Sequence, residues 1–489
     1  VTGPRVVLFR HAPIDIDSRV KKFATTLRRG GYDPVVISLE AADGRSGEYV
    51  LGDGIRVIRV PLQRRPAQQG PAGNLEARRA AHRRRAVLRS RIRGLNAGSA
   101  KAAARWLVET GRVAALKGRS VASDLAYRVD VERRRRAGLK DPFVIVGVER
   151  NLPVVYDIEH TLTDLLVDLQ PDVLHAHHPQ VLLAAREALT RLRAQGRDPK
   201  FYYDARENFA GIPPLEQGLV AAHEALIACE RAMIGHADAT STVSEPIADV
   251  LRDVYHLRTR PSVFLNMPPL TTPEGPTTVR EAAGLGPDVP VVVYSGTMSW
   301  ARGIETIIEG IAHLPAEAHL VVVSVPLPHP MIPKLEAFAA EHGVADRLHF
   351  VGPVGQNELL HYLSGADVAV HPLPGGSPNH DAAMPNKLFE YLHAGLPLVV
   401  SDAKLMAEFV TGNGVGEVFV SNDARSFGEA AARALTDPSR YAVREVAERY
   451  SWQGQEAAIL ELYGAMTGFT GATPHGEFGS LEVREAAAG

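Results

Sequence analysis

Between His371 and Asp402 the chain reads HPLPGGSPNHDAAMPNKLFEYLHAGLPLVVSD, and the residue types there suit a charged ligand. The apolar run Asp367-Val-Ala-Val before it reads as a buried strand. A loop rich in Gly, Pro, Asn and Asp follows. A helix then starts at about Asn386 and stops at Gly395, and a second strand opens at Leu398-Val-Val. The first amides of a helix have no carbonyl one turn back, and that end of its dipole is positive, so a loop entering a helix favours anions. Gly375 and Gly376 let the loop backbone approach a ligand closely, and Glu390 stands one turn inside the helix. On residue types alone the same stretch is equally an ordinary strand–helix–strand crossover with Glu390 in solvent. A second candidate is the histidine run in Asp172-Val-Leu-His-Ala-His-His-Pro, a strand entering a polar loop. Neighbours on a strand point to opposite faces, so this run reads as a poor chelate, and no metal is expected.

The elements that would position these residues form two similar halves. Arg5-Val-Val-Leu-Phe, Pro34-Val-Val-Ile and Ile55-Arg-Val-Ile-Arg-Val read as strands, with a helix over 17–29 between the first two. This order argues for a parallel sheet with crossovers. The loop from His11 to Ser18 follows the first strand, where open α/β sheets place ligands, and it lacks glycine. Further strands are expected at 172–176, 200–204 and 263–265, with a helix over about 219–234. Residues 267–278, MPPLTTPEGPTT, hold four prolines and no apolar period, which marks a domain boundary. Val291-Val-Val-Tyr-Ser-Gly296 opens the second sheet. The loop Thr297–Ala301 leads to Arg302-Gly303 and a helix over 304–314. The expected division is a first domain over 1–270, a second over 279–450, a last helix over 451–466, and a Gly-rich, disordered tail over 467–489.

Composition excludes several classes. The chain has 489 residues, 45% hydrophobic and 22% charged, with net charge −2, so it has no global attraction to nucleic acid or membrane. Cys229 is the single cysteine, which rules out an intrachain disulfide and a cysteine-based metal cluster. No apolar run is long enough to span a bilayer and the start lacks a signal-peptide pattern, so a cytoplasmic protein is expected. Residues 64–136 depart from the rest, with 20 Lys/Arg against five Asp/Glu. Three readings stand beside a solvated helical insertion: a basic amphipathic pair of helices lying on an anionic inner membrane face, an acceptor-docking arm, and a self-association contact. Nucleic-acid binding is not expected, because few aromatics and no known motif accompany the charge.

PNKLFEYLHAGLPLVVSD resembles the donor motif of retaining glycosyltransferases of family four, also called group 1, which have the GT-B fold. The resemblance covers nearly the whole chain apart from 64–136 and the tail. It implies two Rossmann-like domains facing a cleft, with the last helix crossing back to the first. The co-substrate it implies is a UDP- or GDP-linked sugar, with no bound cofactor. Glu390 matches the glutamate that contacts the ribose. The family's earlier glutamate falls at Ala382, and His380 and Asp381 are the expected stand-ins. The loop after the second domain's first strand resembles the second phosphate-binding loop: Gly296, Arg302 and Gly303 match, and Thr297 replaces an arginine. His177 matches a histidine near the donor sugar. Lys200-Phe-Tyr-Tyr-Asp-Ala-Arg-Glu resembles a strand ending in Asp-x-His-Glu, with Arg206 in the histidine's place. By that resemblance His11, Asp17, Arg19 and Glu207 face the acceptor, although helix capping and surface charge also account for Asp17 and Arg19.

The implied reaction is sugar transfer with retention, in secondary-metabolite or cell-envelope saccharide biosynthesis. Charge grows on the departing diphosphate, so donors must already be aimed at it. Arg302, Lys387 and the amides of Met384, Asn386 and Lys387 are the expected donors, with Leu388 in the same turn and His177 as a third catalytic candidate. Acceptors of two kinds fit, a small molecule or a lipid-linked saccharide. The alternatives are a nucleotide-sugar epimerase or hydrolase of the same architecture, and an inactive nucleotide-binding scaffold.

Overall fold

A computed structural model describes residues 3–40, 44–52, 54–63, 148–211, 220–474, 478 and 481–485, with isolated positions between 108 and 114. The basic segment at 64–136 lies almost wholly outside the described residues. Two sheets organise the chain. The first domain holds β1 (Arg5–Phe9), β2 (Asp33–Leu39), β3 (Gly47–Leu51), β4 (Ile55–Val60), β5 (Val173–His177), β6 (Lys200–Asp204), β7 (Ala239–Thr242) and β8 (Ser262–Val263). The second holds β9 (Val291–Gly296), β10 (His319–Ser324), β11 (Leu348–Val351), β12 (Val368–His371), β13 (Leu398–Ser401) and β14 (Gly416–Phe419). A last strand, β15 (Val483–Glu485), returns to the first sheet.

The sheet orders are β15-β3-β4-β2-β1-β5-β6-β7-β8 and β11-β10-β9-β12-β13-β14. The second is parallel throughout, and the first is parallel except where β3 meets β4 and β15. Val, Ile and Leu fill the central strands because helices cover both faces, so no residue there alternates to solvent. Parallel pairing sends the carboxyl ends of β1, β5 and β6 to one side of the first domain, and those of β9 and β12 to one side of the second. Ligand-binding loops collect at such ends. Residues 264–278 join the two domains without regular secondary structure.

The Gln453–Thr467 helix crosses back to the first domain. Trp452 is fully buried and its Nε1 donates to Thr26 Oγ1 at 2.9 Å. Glu456 accepts from Thr26 and from Arg29, and Tyr463 Oη meets His175 Nδ1 at 2.6 Å. The described residues of the tail after it, 467–474, 478 and 481–485, correct the expectation of disorder there; the rest of 467–489 lies outside the described residues. Phe478 and Leu481 are buried against Tyr49, Leu51 and Leu460, and β15 pairs antiparallel with β3. Composition underrates this segment because its order comes from an open sheet edge formed far away in sequence. Among the described residues, no helix is long and apolar enough to cross a membrane.

Candidate functional site

In the second domain, β9 ends at Gly296 with φ of +151°, and the Tyr294 hydroxyl donates to the Thr297 carbonyl at 2.9 Å. The loop then makes a 3₁₀ turn over Trp300–Arg302 and leaves it at Gly303, whose φ is +73°. A Cβ on Gly303 would lie 2.4 Å from the Pro372 carbonyl oxygen, so glycine alone lets this loop press on the end of β12. Gly303 therefore shapes the turn. The exposed Arg302 stands at a cavity of about 290 Å³ that Gly296, Thr297, Asn386 and Lys387 also line. The Asn386–His393 helix begins there behind Pro385, so its first amides open onto the same cavity.

Glu390 and Lys387 are ion-paired at 2.7 Å, and Asn386 Nδ2 donates to the other carboxylate oxygen at 3.0 Å. Glu390 borders a second, interdomain cavity of about 590 Å³, together with Lys22, Asn266, Gln356 and Glu358. The Lys387–Glu390 pair thus has one member on a small cationic cavity and the other on a larger, mixed one. Two lining residues escaped the sequence reading. His371, 4% exposed, lies between Arg302 and Lys387. Both its ring nitrogens lack a partner among the described residues, and burial, then Arg302 and Lys387, push its pKa down to about 3. Lys22 is buried over the Trp452 ring and donates to Asn266 Oδ1 (2.8 Å) and to the Met267 carbonyl (2.5 Å). Their signals were a polar residue at the end of a buried strand and a lysine on an apolar helix face.

Several expected roles are corrected. Asp381 Oδ1 accepts from the amides of Gly376 (3.2 Å) and Lys404 (3.4 Å), and His380 Nδ1 meets the Pro374 carbonyl at 2.7 Å. These two side chains brace the Gly-rich loop. Ala382 is pressed against the first domain, where Ser244 Oγ donates to its carbonyl at 2.9 Å. Leu388 is fully buried in the core and its amide is bonded to the Pro385 carbonyl, so it offers a ligand nothing. The Met384 side chain borders a separate interdomain cavity with Ser244 and Tyr450.

On the first domain, Asp17 caps the Ser18–Arg29 helix by accepting from the amides of Arg19 and Val20. It also pairs with Arg206 at 2.7 Å and with Arg10. Arg19 is wholly buried and grips both oxygens of Asp204 at 2.8 Å. Neither Asp17 nor Arg19 faces an acceptor, and Arg19 is no surface charge. Their fixed cations hold the Asp17 and Asp204 carboxyls well below the usual range despite burial. His177 is also fully buried. Its Nδ1 lies 3.1 Å from Asp204 and 3.1 Å from Arg206, and its Nε2 has no partner among the described residues. His11 stacks edge-on with His178 at 5.4 Å, and Glu207 lies within the fields of Arg206 and Arg302.

The expectation that the histidine run cannot gather ligands is also corrected. His175 and His177 lie two apart, so they share one face. Their rings are 3.9 Å apart, and with Asp204 they bring three ligand atoms within 4.8 Å. A divalent cation does not fit these residues. Asp204 already receives Arg19, Arg206, Ser241 and His177, and two buried guanidiniums would repel the ion.

Burial makes this cluster acid-sensitive. His11 and His177 are pushed down to about 4, and His175 and His178 also lie below their usual 6.5. The unfolded chain therefore binds more protons than the folded one between pH 6.5 and 4, and stability falls as pH drops through that window. Glu230, pushed up to about 7 by burial between two tyrosine hydroxyls, takes a proton in the folded state and opposes this. Four histidines outweigh it. His177 alone is worth on the order of 3 kcal/mol across the window. Urea unfolding at pH 7 and pH 5 checks this: the midpoint should be clearly lower at pH 5, and equal midpoints would contradict it.

Two parallel-sheet domains, a cleft between their strand ends and a crossing last helix define a GT-B protein. Residues 289–437 match the model of the family described as Glycosyl transferases group 1. The second domain belongs to that family. A D-inositol 3-phosphate glycosyltransferase of Xylanimonas cellulosilytica is 26% identical over 272 residues, which is 53% of this chain and 62% of that protein. The chain thus spans less than two thirds of that relative. Among solved structures, sucrose-phosphate synthase from Thermosynechococcus elongatus superposes with a TM-score of 0.62 at 15% identity, over 95% of this chain and 99% of the other. Anabaena HepE in complex with UDP and glucose gives 0.58 at 12% identity, over 94% and 100%. At these identities the structures speak for the fold.

Proposed function

We propose that the protein transfers a sugar from a nucleoside-diphosphate sugar to a hydroxylated acceptor, with retention at the anomeric carbon and without a resident metal. The observation that carries this is the pair of cavities whose lining residues Lys387 and Glu390 are ion-paired with each other. The 590 Å³ space, with Glu390 as acceptor for ribose hydroxyls, takes the nucleoside. The 290 Å³ space, with Arg302, Lys387 and the first helix amides, takes the diphosphate. The bond from the sugar carbon to the phosphate oxygen breaks, and the acceptor oxygen bonds to that carbon. The acceptor's proton passes to the departing phosphate on the same face. Arg302 supplies a planar fork of donors that can meet two oxygens of that phosphate as charge grows on it. The acceptor enters from the first domain past His11 and Glu207. The structural neighbour with UDP and glucose makes UDP the first nucleotide to try, and the curated relatives' names favour a small polyol acceptor.

A thermal-shift panel of UDP, GDP and ADP without metal tests the reading. One nucleotide should raise the melting temperature, since ligand at a hundred times its Kd adds about 2.7 kcal/mol to the native state. Glu390→Ala should lose most of that rise. Absence of stabilisation by every nucleotide at millimolar concentration would overturn the assignment.

A further inference from the structure

The returning tail does more than complete a sheet. Phe478 and Leu481 each keep 6% of their surface, and both line the cavity of about 590 Å³ that Glu390 borders. Their other sides are fixed to the first domain. Arg29 stacks over the Phe478 ring at 5.6 Å, both residues join the cluster of Tyr49 and Leu51, and the Gly52 amide donates to the Glu482 carbonyl at 3.3 Å. β15 follows two residues after Leu481, with Val483 opposite Leu51. The opposite wall belongs to the second domain, with Glu390 and the loop after β11. The cavity therefore has a polar end at Glu390 and an apolar, partly aromatic face supplied by the tail.

We propose that this tail is part of the donor site, and that Phe478 and Leu481 form the apolar wall against which the nucleobase packs. The inference rests on the donor-site reading above. Three features point to the nucleoside as occupant. Glu390 on the wall of this cavity is paired with Lys387, which lines the cavity assigned to the diphosphate. The volume of the larger cavity is in the range of small-ligand pockets. A flat base offers a π face that an aromatic and an aliphatic side chain cover without hydrogen bonds. Because the strap is anchored to the first domain, the base would be held by both domains. Nucleotide binding would then favour the closed cleft.

Isothermal titration of the full chain with the stabilising nucleotide and with inorganic pyrophosphate tests this. Phe478→Ala should weaken the nucleotide about tenfold, the scale of a lost stacking contact, and leave pyrophosphate unchanged. Phe478→Tyr should restore binding. Leu481→Ala should act in the same direction, and it carries the test if Phe478→Ala does not fold by circular dichroism. Wild-type-like nucleotide affinity in folded variants would overturn the proposal while leaving the donor site standing. Equal loss of nucleotide and pyrophosphate would also overturn it, because the strap would then act by placing the domains. A wild type that binds no nucleotide overturns the donor site itself, and this inference with it.

Discussion

Arg302→Ala should lower turnover by about 10²- to 10³-fold, the usual cost of removing one preorganised donor from developing negative charge. The melting temperature should stay within the error of a surface substitution, about 0.5 kcal/mol. Both halves follow from the same fact. The Arg302 side chain is exposed and is engaged by no hydrogen bond or ion pair among the described residues, so folding does not use it. Yet its backbone is fixed by the 3₁₀ turn and by the close approach of Gly303 to Pro372, so its charge is delivered to one place. Lys387 is its neighbour in the cavity but is already paired with Glu390, and so offers less free charge. Arg302→Lys should recover only part of the loss, since an ammonium cannot match two phosphate oxygens at once. Steady-state kinetics with a nucleotide sugar, alongside unfolding curves, would decide. Turnover within a few-fold of wild type would remove Arg302 from the reaction.

How far the sequence could be read depended on where each property is determined. The helix start at Asn386 is local: a proline, an amide and a lysine after a Gly-rich loop set it whatever packs around it. The central strands were legible because burial on both faces forces continuous Val, Ile and Leu. By contrast, β3 begins with exposed polar residues and carries no clear period, and β15 is ordered only because β3 leaves an edge to pair with. Charged residues misled most. Asp17 and Arg19 read as a cap and a surface charge, yet both are buried with Lys21 and Lys22: acceptors from Asp204, Asn266 and the backbone carbonyls of 15, 264 and 267 reach the three cations, and Arg10 and Arg206 donate to Asp17. Asp381 has a part that the sequence did not show: as the expected stand-in for a donor-sugar glutamate it carries no sign of the two amides, of Gly376 and Lys404, that it accepts from.

Arg19→Met is the substitution expected to damage the fold most, by about 3–5 kcal/mol, the cost of stripping one partner from a buried ion pair. Asp204 would remain at zero exposure with Ser241, His177 and the single guanidinium of Arg206, having lost both bonds from Arg19. Against a total stability of about 5–15 kcal/mol this is a large fraction. Urea unfolding should show it as a lower midpoint with an unchanged slope. Replacing both members with apolar residues, Arg19→Met with Asp204→Leu, should recover part of the loss, because no charge is then left unpaired. The acid side has a defined sign. The Asp204 and Asp17 carboxyls are depressed in the folded state, so their contribution is fully present above the ordinary aspartate value of 3.8 and is lost as pH falls from there towards the folded values. Arg19→Met should therefore flatten the stability profile below pH 4 and leave the histidine-driven decline between pH 6.5 and 4 in place. The damage should also reach the cleft. Arg19 Nη1 donates to the Phe264 carbonyl at 2.6 Å, and Lys22, one turn on, holds Asn266 and Met267. These contacts tie the first helix to the segment joining the domains, so nucleotide affinity should fall together with stability. A variant that loses less than about 1 kcal/mol would show that Arg206 alone suffices for Asp204, and that the buried pair is not what fixes the first helix to the linker.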